Sequence, residues 1–208
     1  MRTGITHTPE GRQRLVASGI PIVETWDLTP TPLDMLVGFS HVDVGRSVCR
    51  YLHGKGRRRL AVIGGDDERS RRRGEAFVQA ARELGLADVP VHLVPAPTTL
   101  GNGRGALRAL RGEHPDIDAV FCSSDLLALG VLIEAQASGL DVPGQLGVIG
   151  FGDLSMAADV HPALTTVRVD GSRIGAEAAR CIVARADGVD AGDRVIDIGF
   201  TIIERASV

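Results

Sequence analysis

Apolar runs alternate with polar breaks along this chain, and the clearest example lies between residues 119 and 152. Ala119–Cys122 is a short run with β-branched and aromatic members, which is typical of a buried strand. Leu126–Ala137 is apolar over a length that suits a buried helix, and Leu146–Phe151 is a second apolar run. The polar residues 123–125 stand just before the helix and can cap it. This order predicts a parallel strand–helix–strand unit with polar residues at both strand ends.

The same alternation extends over the rest of the chain. Apolar runs predict further strands at Ile20–Glu24, Met35–Phe39, Leu60–Ile63, Val91–Val94 and Val195–Glu204. Helices are predicted at Glu10–Ala17, Val42–His53, Ser70–Leu84, Arg104–Arg111 and Ser172–Ala186. Leu164–Val169 is predicted to be an extended linker. This regular alternation predicts an α/β fold with parallel sheets, in which ligands bind beyond the carboxyl ends of the strands.

Composition narrows the functional classes. The chain has 208 residues, 44% of them apolar and 3% aromatic, so aliphatic side chains must fill the core. A formal net charge of −3 argues against nucleic-acid binding by this chain itself, because phosphate binding needs a clustered positive surface. Its three cysteines lack metal-binding spacing, so we expect buried thiols and neither metal nor cofactor. No run approaches the length of a membrane span, and we expect a soluble cytoplasmic protein without a membrane partner.

Four segments resemble the motifs of one protein family. FCSSDLLALG at residues 121–130 resembles F-C-x-N-D-x-x-A-x-G, and GLDVPGQLGVIGFGD at 139–153 resembles G-x-x-V-P-x-D-x-x-V-x-G-F-D-D. HPALTTVRVD at 161–170 and HGKGRRRLAVIGG at 53–65 resemble two further motifs, in the right order and at the right separations. By these motifs the chain resembles the effector-binding domain of the LacI/GalR (lactose/galactose repressor) family of bacterial transcription regulators.

This resemblance implies a two-lobed type I periplasmic-binding-protein fold that binds a small molecule in the cleft between its lobes. Residues 1–40 and 168–194 would form an amino-terminal lobe, and residues 41–167 and 195–208 the carboxy-terminal lobe. The family's DNA-binding headpiece, hinge helix and first strand–helix–strand are missing, so we interpret the chain as a fragment whose amino-terminal lobe is incomplete. Operator DNA would be bound only through that missing headpiece, by a homodimer with contacts on the predicted helices 42–53 and 126–137.

The resemblance also implies ligand contacts in the carboxy-terminal lobe. Alignment on the family's Gly-Phe pair places Arg73 on the arginine that reaches into the cleft, where a guanidinium suits vicinal hydroxyls or a carboxylate. The alternative is a solvated Arg73 within a basic run. Ser124 stands where an asparagine usually contacts ligand, and Asp125 is expected to cap the next helix. The family's ligand-binding aspartate falls on Gly152, so its contact is lost or passes to Asp153, which is otherwise a loop carboxylate.

Further contacts are expected in the amino-terminal lobe. Glu24 and Trp26 follow an apolar strand, and Trp26 is the only tryptophan in the chain. Because it sits in a loop, its ring could stack on a sugar-like ligand. Phe39 matches a position that lines the family's pocket, unless it belongs to the core. His41 is expected to start a helix rather than to bind ligand.

The strings ETWD and VGFSH look closest to the gluconate-responsive branch of the family, so we expect a sugar or a sugar acid such as gluconate as effector. The leading interpretation is a sensor whose effector changes the operator affinity of the full protein. A soluble sugar-binding protein without a DNA-binding role is the alternative, although no export signal is visible. An enzyme is not expected, because no nucleophile–base pair, metal spacing or phosphate loop is recognisable.

Overall fold

The computed structural model describes residues 8–86, 88–189 and 192–208, in which helices and short strands alternate along most of the chain. The helices are α1 (Pro9–Ala17), α2 (His41–Gly54), α3 (Glu68–Glu83), α4 (Leu100–Glu113), α5 (Asp125–Ala137), the short α6 (Met156–Asp159) and α7 (Gly171–Ala186). The strands are β1 (Val23–Thr25), β2 (Met35–Gly38), β3 (Leu60–Gly65), β4 (Val91–Val94), β5 (Ala119–Cys122), β6 (Gly147–Phe151), β7 (Thr165–Arg168), β8 (Val195–Asp197) and β9 (Thr201–Ile203).

The chain divides into two compact units, the first Met1–His41 with Val169–Phe200 and the second Val42–Arg168 with Thr201–Val208. The first unit contains a three-stranded parallel sheet in the order β1-β2-β8. From the sequence we expected the whole segment 195–208 in the second lobe, with a single strand region over Val195–Glu204. Instead Val195–Asp197 pairs with β2, so residues 195–200 belong to the first unit and only the following strand joins the second.

The second unit contains a six-stranded sheet in the order β4-β3-β5-β6-β7-β9. Its strands are parallel, except that β9 runs antiparallel to β7. The predicted linker at 164–169 is wrong, because Thr165–Arg168 pairs with both β6 and β9. Its first three residues are buried, and a backbone segment buried inside a sheet needs such pairing for its polar groups.

Helices cover both faces of this six-stranded sheet. One face packs against α4 and α5 in a cluster that includes Ile63, Val120 and Leu127. On the other face Phe77 of α3 stacks on Phe121 of β5, with ring centroids 5.4 Å apart. The α5 helix has almost no polar side, which explains why its sequence is apolar nearly throughout.

Capping residues set the helix starts, and α3 and α4 begin two and four residues earlier than the hydrophobic pattern predicts. Helix α3 begins after the N-cap Asp67, and α4 begins after Thr99, which forms a capping box with Asn102. Each cap adds a first turn without the apolar periodicity from which the helix start was predicted. At α5 the cap is Ser124, whose Oγ accepts a hydrogen bond from the Leu127 N–H.

Candidate functional site

The carboxyl ends of three neighbouring strands form one edge of the sheet in the second unit. β3, β5 and β6 lie side by side and parallel, and the chain leaves the last two at Ser123 and Gly152. Ser123 Oγ accepts a hydrogen bond from the Gly65 N–H at 3.0 Å, which ties the ends of β3 and β5 together. Ligands of open parallel sheets bind at this edge. We call Arg73, Ser124 and Phe151, which gather there, the strand-end site.

Arg73 of α3 is the central side chain of the strand-end site. It is only 4% exposed, so the alternative of a solvated arginine is wrong. Its Nη2 donates to the Ser123 carbonyl oxygen at 3.0 Å and to Ser70 Oγ at 3.3 Å. Its Cζ lies 4.1 Å from the centroid of the Phe151 ring, within cation–π distance. The guanidinium is therefore held between α3 and the ends of β5 and β6.

The first turn of α3 fixes the position of Ser70 and thereby supports Arg73. Asp67 accepts hydrogen bonds from the Ser70 N–H at 3.1 Å and from Ser70 Oγ at 2.6 Å. Burial alone would raise the pKa of Asp67, but the hydrogen bonds from Ser70 and the charge of Arg73 outweigh it and lower the pKa. Asp67 is thus ionised and fixes this turn at neutral pH.

Ser124 is half-buried at the amino-terminal end of α5. Its Oγ caps the helix and lies 3.0 Å from Thr98 Oγ1, with either hydroxyl able to donate. Unpaired backbone N–H groups and the helix dipole make such a helix start favourable for negative charge. A ligand contact of Ser124 stays a prediction, while its capping role is explained by the geometry.

Asp125 does not cap α5, contrary to our expectation, because Ser124 occupies the N-cap position. Its carboxylate instead accepts hydrogen bonds from the Leu154 N–H at 2.7 Å and from Thr166 Oγ1 at 2.5 Å. It thereby ties α5 to β7 and to the loop after β6. Burial raises the pKa of Asp125, and these two hydrogen bonds oppose the rise without cancelling it.

Asp153 is held by two arginines in the loop after β6. Its oxygens accept from Arg168 Nε at 2.5 Å and from Arg205 Nη2 at 2.7 Å. Burial would raise the pKa of Asp153, but the hydrogen bonds and charges of both arginines outweigh it and lower the pKa. Asp153 and Gly152 both have positive φ, +50° and +131°, so this loop turns sharply. The two ion pairs show that Asp153 stabilises the loop after β6. A ligand contact of Asp153 stays a prediction.

In the first unit, Trp26 adopts a left-handed backbone conformation with φ +71°, which is rare for a bulky residue. Its N–H donates to the Val37 carbonyl oxygen at 3.3 Å, and its own carbonyl oxygen accepts from His41 Nε2 at 3.1 Å. Its ring meets Phe39 edge-on at 6.3 Å. A Cβ placed on Gly171 would lie 3.2 Å from the Trp26 ring, so that ring packs tightly against the start of α7.

Glu24 and Phe39 are buried in this unit, at 4% and 0% exposure. Glu24 Oε2 accepts a hydrogen bond from the Leu33 N–H at 2.7 Å, which fastens the loop after β1. Phe39 contacts the His41 ring edge-on at 4.6 Å, and His41 begins α2 as the sequence predicts. Ligand contacts of Glu24, Trp26 and Phe39 stay predictions, and the observed contacts of all three are packing and loop support.

Sequence reasoning missed Phe151, Ser70 and Arg205. Phe151 ends an apolar run that predicts a strand, and an aromatic residue at the carboxyl end of a parallel strand is a sequence signal for a ligand site. Ser70 supports Arg73 from one turn earlier on α3, a spacing that can be read from the sequence. Arg205 is 52 residues from Asp153, and no local pattern indicates that pair.

Two general properties of the described residues bear on function. None of the helices within 8–86, 88–189 and 192–208 combines the length and apolar character needed to cross a membrane. Over the same residues, no group of three or more His, Cys, Asp and Glu side chains is placed to hold a metal ion.

Residues 49–208, which include the whole strand-end site, match the family model of the periplasmic binding protein-like domain. The chain belongs to this family. The HTH-type transcriptional regulator GntR of Pseudomonas aeruginosa is 36% identical over 99% of this chain and 60% of its own length. The transcription regulator GntR of Chromobacterium violaceum superposes with a TM-score of 0.93 at 33% identity, covering 100% of this chain and 76% of that one. A LacI family transcriptional regulator from Silicibacter pomeroyi gives 0.90 at 32% identity, over 98% and 75%.

These similarities confirm both the LacI/GalR resemblance of the sequence and the α/β periplasmic-binding-protein-like fold. The chain spans about 60% of the length of the two GntR regulators from Pseudomonas aeruginosa and Escherichia coli. Those relatives are transcriptional regulators rather than enzymes.

Proposed function

We propose that this chain is the effector-sensing domain of a bacterial LacI-family transcriptional regulator and that it binds a sugar acid such as gluconate at the strand-end site. One observation carries the proposal: the Arg73 guanidinium is buried, held by three neighbours and placed at the ligand-binding edge of the sheet. A planar guanidinium pairs with a carboxylate by two parallel charge-assisted hydrogen bonds, which are stronger than the bonds it forms with the vicinal hydroxyls of a neutral sugar.

Two further features favour an acid over a neutral sugar. The amino-terminal end of α5 at Ser124 adds a helix dipole that attracts negative charge. Gly152 replaces the aspartate with which the family grips sugar hydroxyls, and this removes a carboxylate that would repel an acid. The resemblance to the gluconate-responsive branch agrees with both features.

In the full protein, effector binding would be coupled to operator affinity through a DNA-binding segment outside this chain. Such coupling requires different effector affinities in two states of the protein, and it typically amounts to about 1–3 kcal/mol. The relatives are transcriptional regulators, which favours this function over sugar transport and over catalysis. A regulator that acts on DNA would work in the cytoplasm, and we propose that location for the protein.

We also infer that the protein is a homodimer that associates through α5. Ile133, Leu100 and Met156 are 41%, 39% and 45% exposed, and they surround a groove of about 300 Å³ that Leu129 and Leu132 also line. Large apolar side chains gathered in this way commonly mark a protein interface. α5 is also one of the two helices on which the sequence predicted dimer contacts.

Isothermal titration calorimetry with gluconate and with glucose tests the effector proposal. The chain should bind gluconate more tightly than glucose, and Arg73→Lys, which keeps the charge but loses the planar fork, should weaken gluconate binding by about tenfold or more. Arg71→Gln is the matched control, because Arg71 is exposed on the same helix turn and donates to the Asp66 carbonyl oxygen.

Thermal unfolding of each variant separates lost binding from lost folding. If a folded Arg73→Lys variant binds gluconate as tightly as the parent chain, the role of Arg73 is refuted. If the parent chain binds no sugar acid at all, the sugar-acid assignment is refuted with it.

A further inference from the structure

The second unit contains a cavity beside α3 that none of the three residues of the strand-end site lines. It has a volume of about 610 Å³ and is bounded by α2, α3, β3 and β4, and we call it the α3 groove. Its apolar lining comes from Val42, Val62, Val78, Val91 and Leu93. A volume in this range is typical of small-molecule sites, about 300–1,000 Å³.

The floor of the α3 groove is open to solvent at the edge strand β4. Val91 and Leu93 are 46% and 38% exposed, although both are large apolar residues on a strand at the border of the sheet. Edge strands normally carry protective polar or charged residues at such positions. Two neighbouring exposed apolar side chains that line a concave surface therefore indicate that something apolar covers them.

Arg46 of α2 provides a polar anchor for a ligand in the same groove. Its Nε is shielded from solvent and has no hydrogen-bond partner among the described residues. Nor does the Arg46 side chain form an ion pair within the described part of the chain. Arg46 is half-buried and lines the groove, so an anionic oxygen in the groove would pair with its guanidinium and supply the acceptor that it lacks.

The charges around the groove have the sign that an anion requires. Arg71, Arg72 and Arg82 line the groove together with Arg46, against a single carboxylate, that of Glu75. Glu68 Oε1 accepts from Arg72 at 2.6 Å and neutralises part of this charge. The remaining excess of positive charge attracts an acid and disfavours a cation.

We propose that the α3 groove is a second ligand site, which takes an amphipathic carboxylate with its acid group at Arg46 and its apolar chain on Val91 and Leu93. This ligand class differs from a sugar acid, whose hydroxyl groups the apolar lining cannot satisfy. Ser70 lines the groove, and its Oγ also lies 3.3 Å from Arg73 Nη2. A ligand in the groove therefore contacts the helix turn that supports the strand-end site.

Calorimetric titration of the whole 208-residue chain with octanoate tests this site, with octanamide as a neutral probe of the same length. Octanoate should bind, and octanamide should bind at least about tenfold more weakly, because it lacks the charge that pairs with Arg46. Arg46→Gln should weaken octanoate binding by a similar factor. Arg50→Gln, one turn further along α2 at an exposed position outside the groove, should leave octanoate binding unchanged.

A second variant keeps the test decisive if Arg46→Gln unfolds. Val91→Asp places a carboxylate on the exposed floor of the groove and should abolish octanoate binding by repulsion and lost apolar contact. Arg73→Lys should keep octanoate binding, so a failure of the sugar-acid proposal is distinguishable from a failure of this one. Absence of octanoate binding to the parent chain, equal binding of octanamide, or unchanged binding by folded Arg46→Gln would each overturn the proposal.

Discussion

Alanine at Gly103 should destabilise the second unit, whereas alanine two residues later should stabilise it. Gly103 of α4 and Gly130 of α5 face each other where the two helices touch, and because neither has a side chain the two backbones are in direct contact. A Cβ on Gly103 would lie 2.2 Å from the Leu127 carbonyl oxygen and 3.1 Å from Gly130 Cα. A Cβ on Gly105 meets nothing within 4 Å.

The size of the stability loss in Gly103→Ala depends on how far α4 and α5 must move apart. Cβ atoms in real proteins essentially never approach other atoms within 3.0 Å, so α4 and α5 must separate by roughly 0.8 Å in Gly103→Ala. The obstacle is backbone, which cannot rotate away, and overpacking of this kind costs about 1–3 kcal/mol. Alanine regains about 1 kcal/mol of helix propensity at either position. At the upper end of the overpacking range, we expect Gly103→Ala to lower the free energy of unfolding by about 2 kcal/mol net. Gly105→Ala should raise it by up to about 1 kcal/mol.

Urea unfolding followed by far-UV circular dichroism measures both variants, with the slope of the transition as a check on its cooperativity. Gly105→Ala is the matched control, since it makes the same chemical change in the same helix at an exposed position. Because Ser124 begins α5, Gly103→Ala should also weaken effector binding at the strand-end site. A Gly103→Ala variant as stable as Gly105→Ala would refute the close helix contact on which this reasoning depends.

Two further predictions follow from the same contacts. The pKa of Asp125 is raised by burial in the folded chain, so its contribution to stability is fully present below its unfolded pKa of about 3.9 and is lost as pH rises through the folded value. The side chain in Asp125→Asn cannot ionise. The free energy of unfolding of this variant, measured in urea, should therefore rise relative to that of the parent chain as pH increases from about 4 to about 7. A difference between the two free energies that does not change with pH would contradict the burial argument. Ile133→Asp should convert a dimer into a monomer of 21.9 kDa in light scattering, while Val183→Asp, at a 59% exposed apolar position on α7, should leave the dimer intact. A parent chain that is monomeric at micromolar concentration would show that α5 is not the interface.

Local sequence patterns determined the class of the fold and most of its elements. The alternation of apolar runs and polar breaks is a property of neighbouring residues, and it predicted the parallel strands and the two polar strand ends at Ser123 and Gly152. Motif resemblance then placed Arg73 at the strand-end site, where the structure holds it buried. Helix caps such as Ser124 and Thr99 are also local, because each bonds an N–H three residues ahead.

Tertiary structure decided the features that depend on residues far apart in the chain. Asp125 reads as a helix cap from its neighbours, yet its actual partner Thr166 is 41 residues away. Val195–Asp197 reads as continuous with the next strand, but pairing with β2 assigns it to the other unit. The Gly103–Gly130 contact and the α3 groove likewise arise only when separate elements pack. Periodicity reports which face of an element is apolar, and it contains no information on which distant element will cover that face.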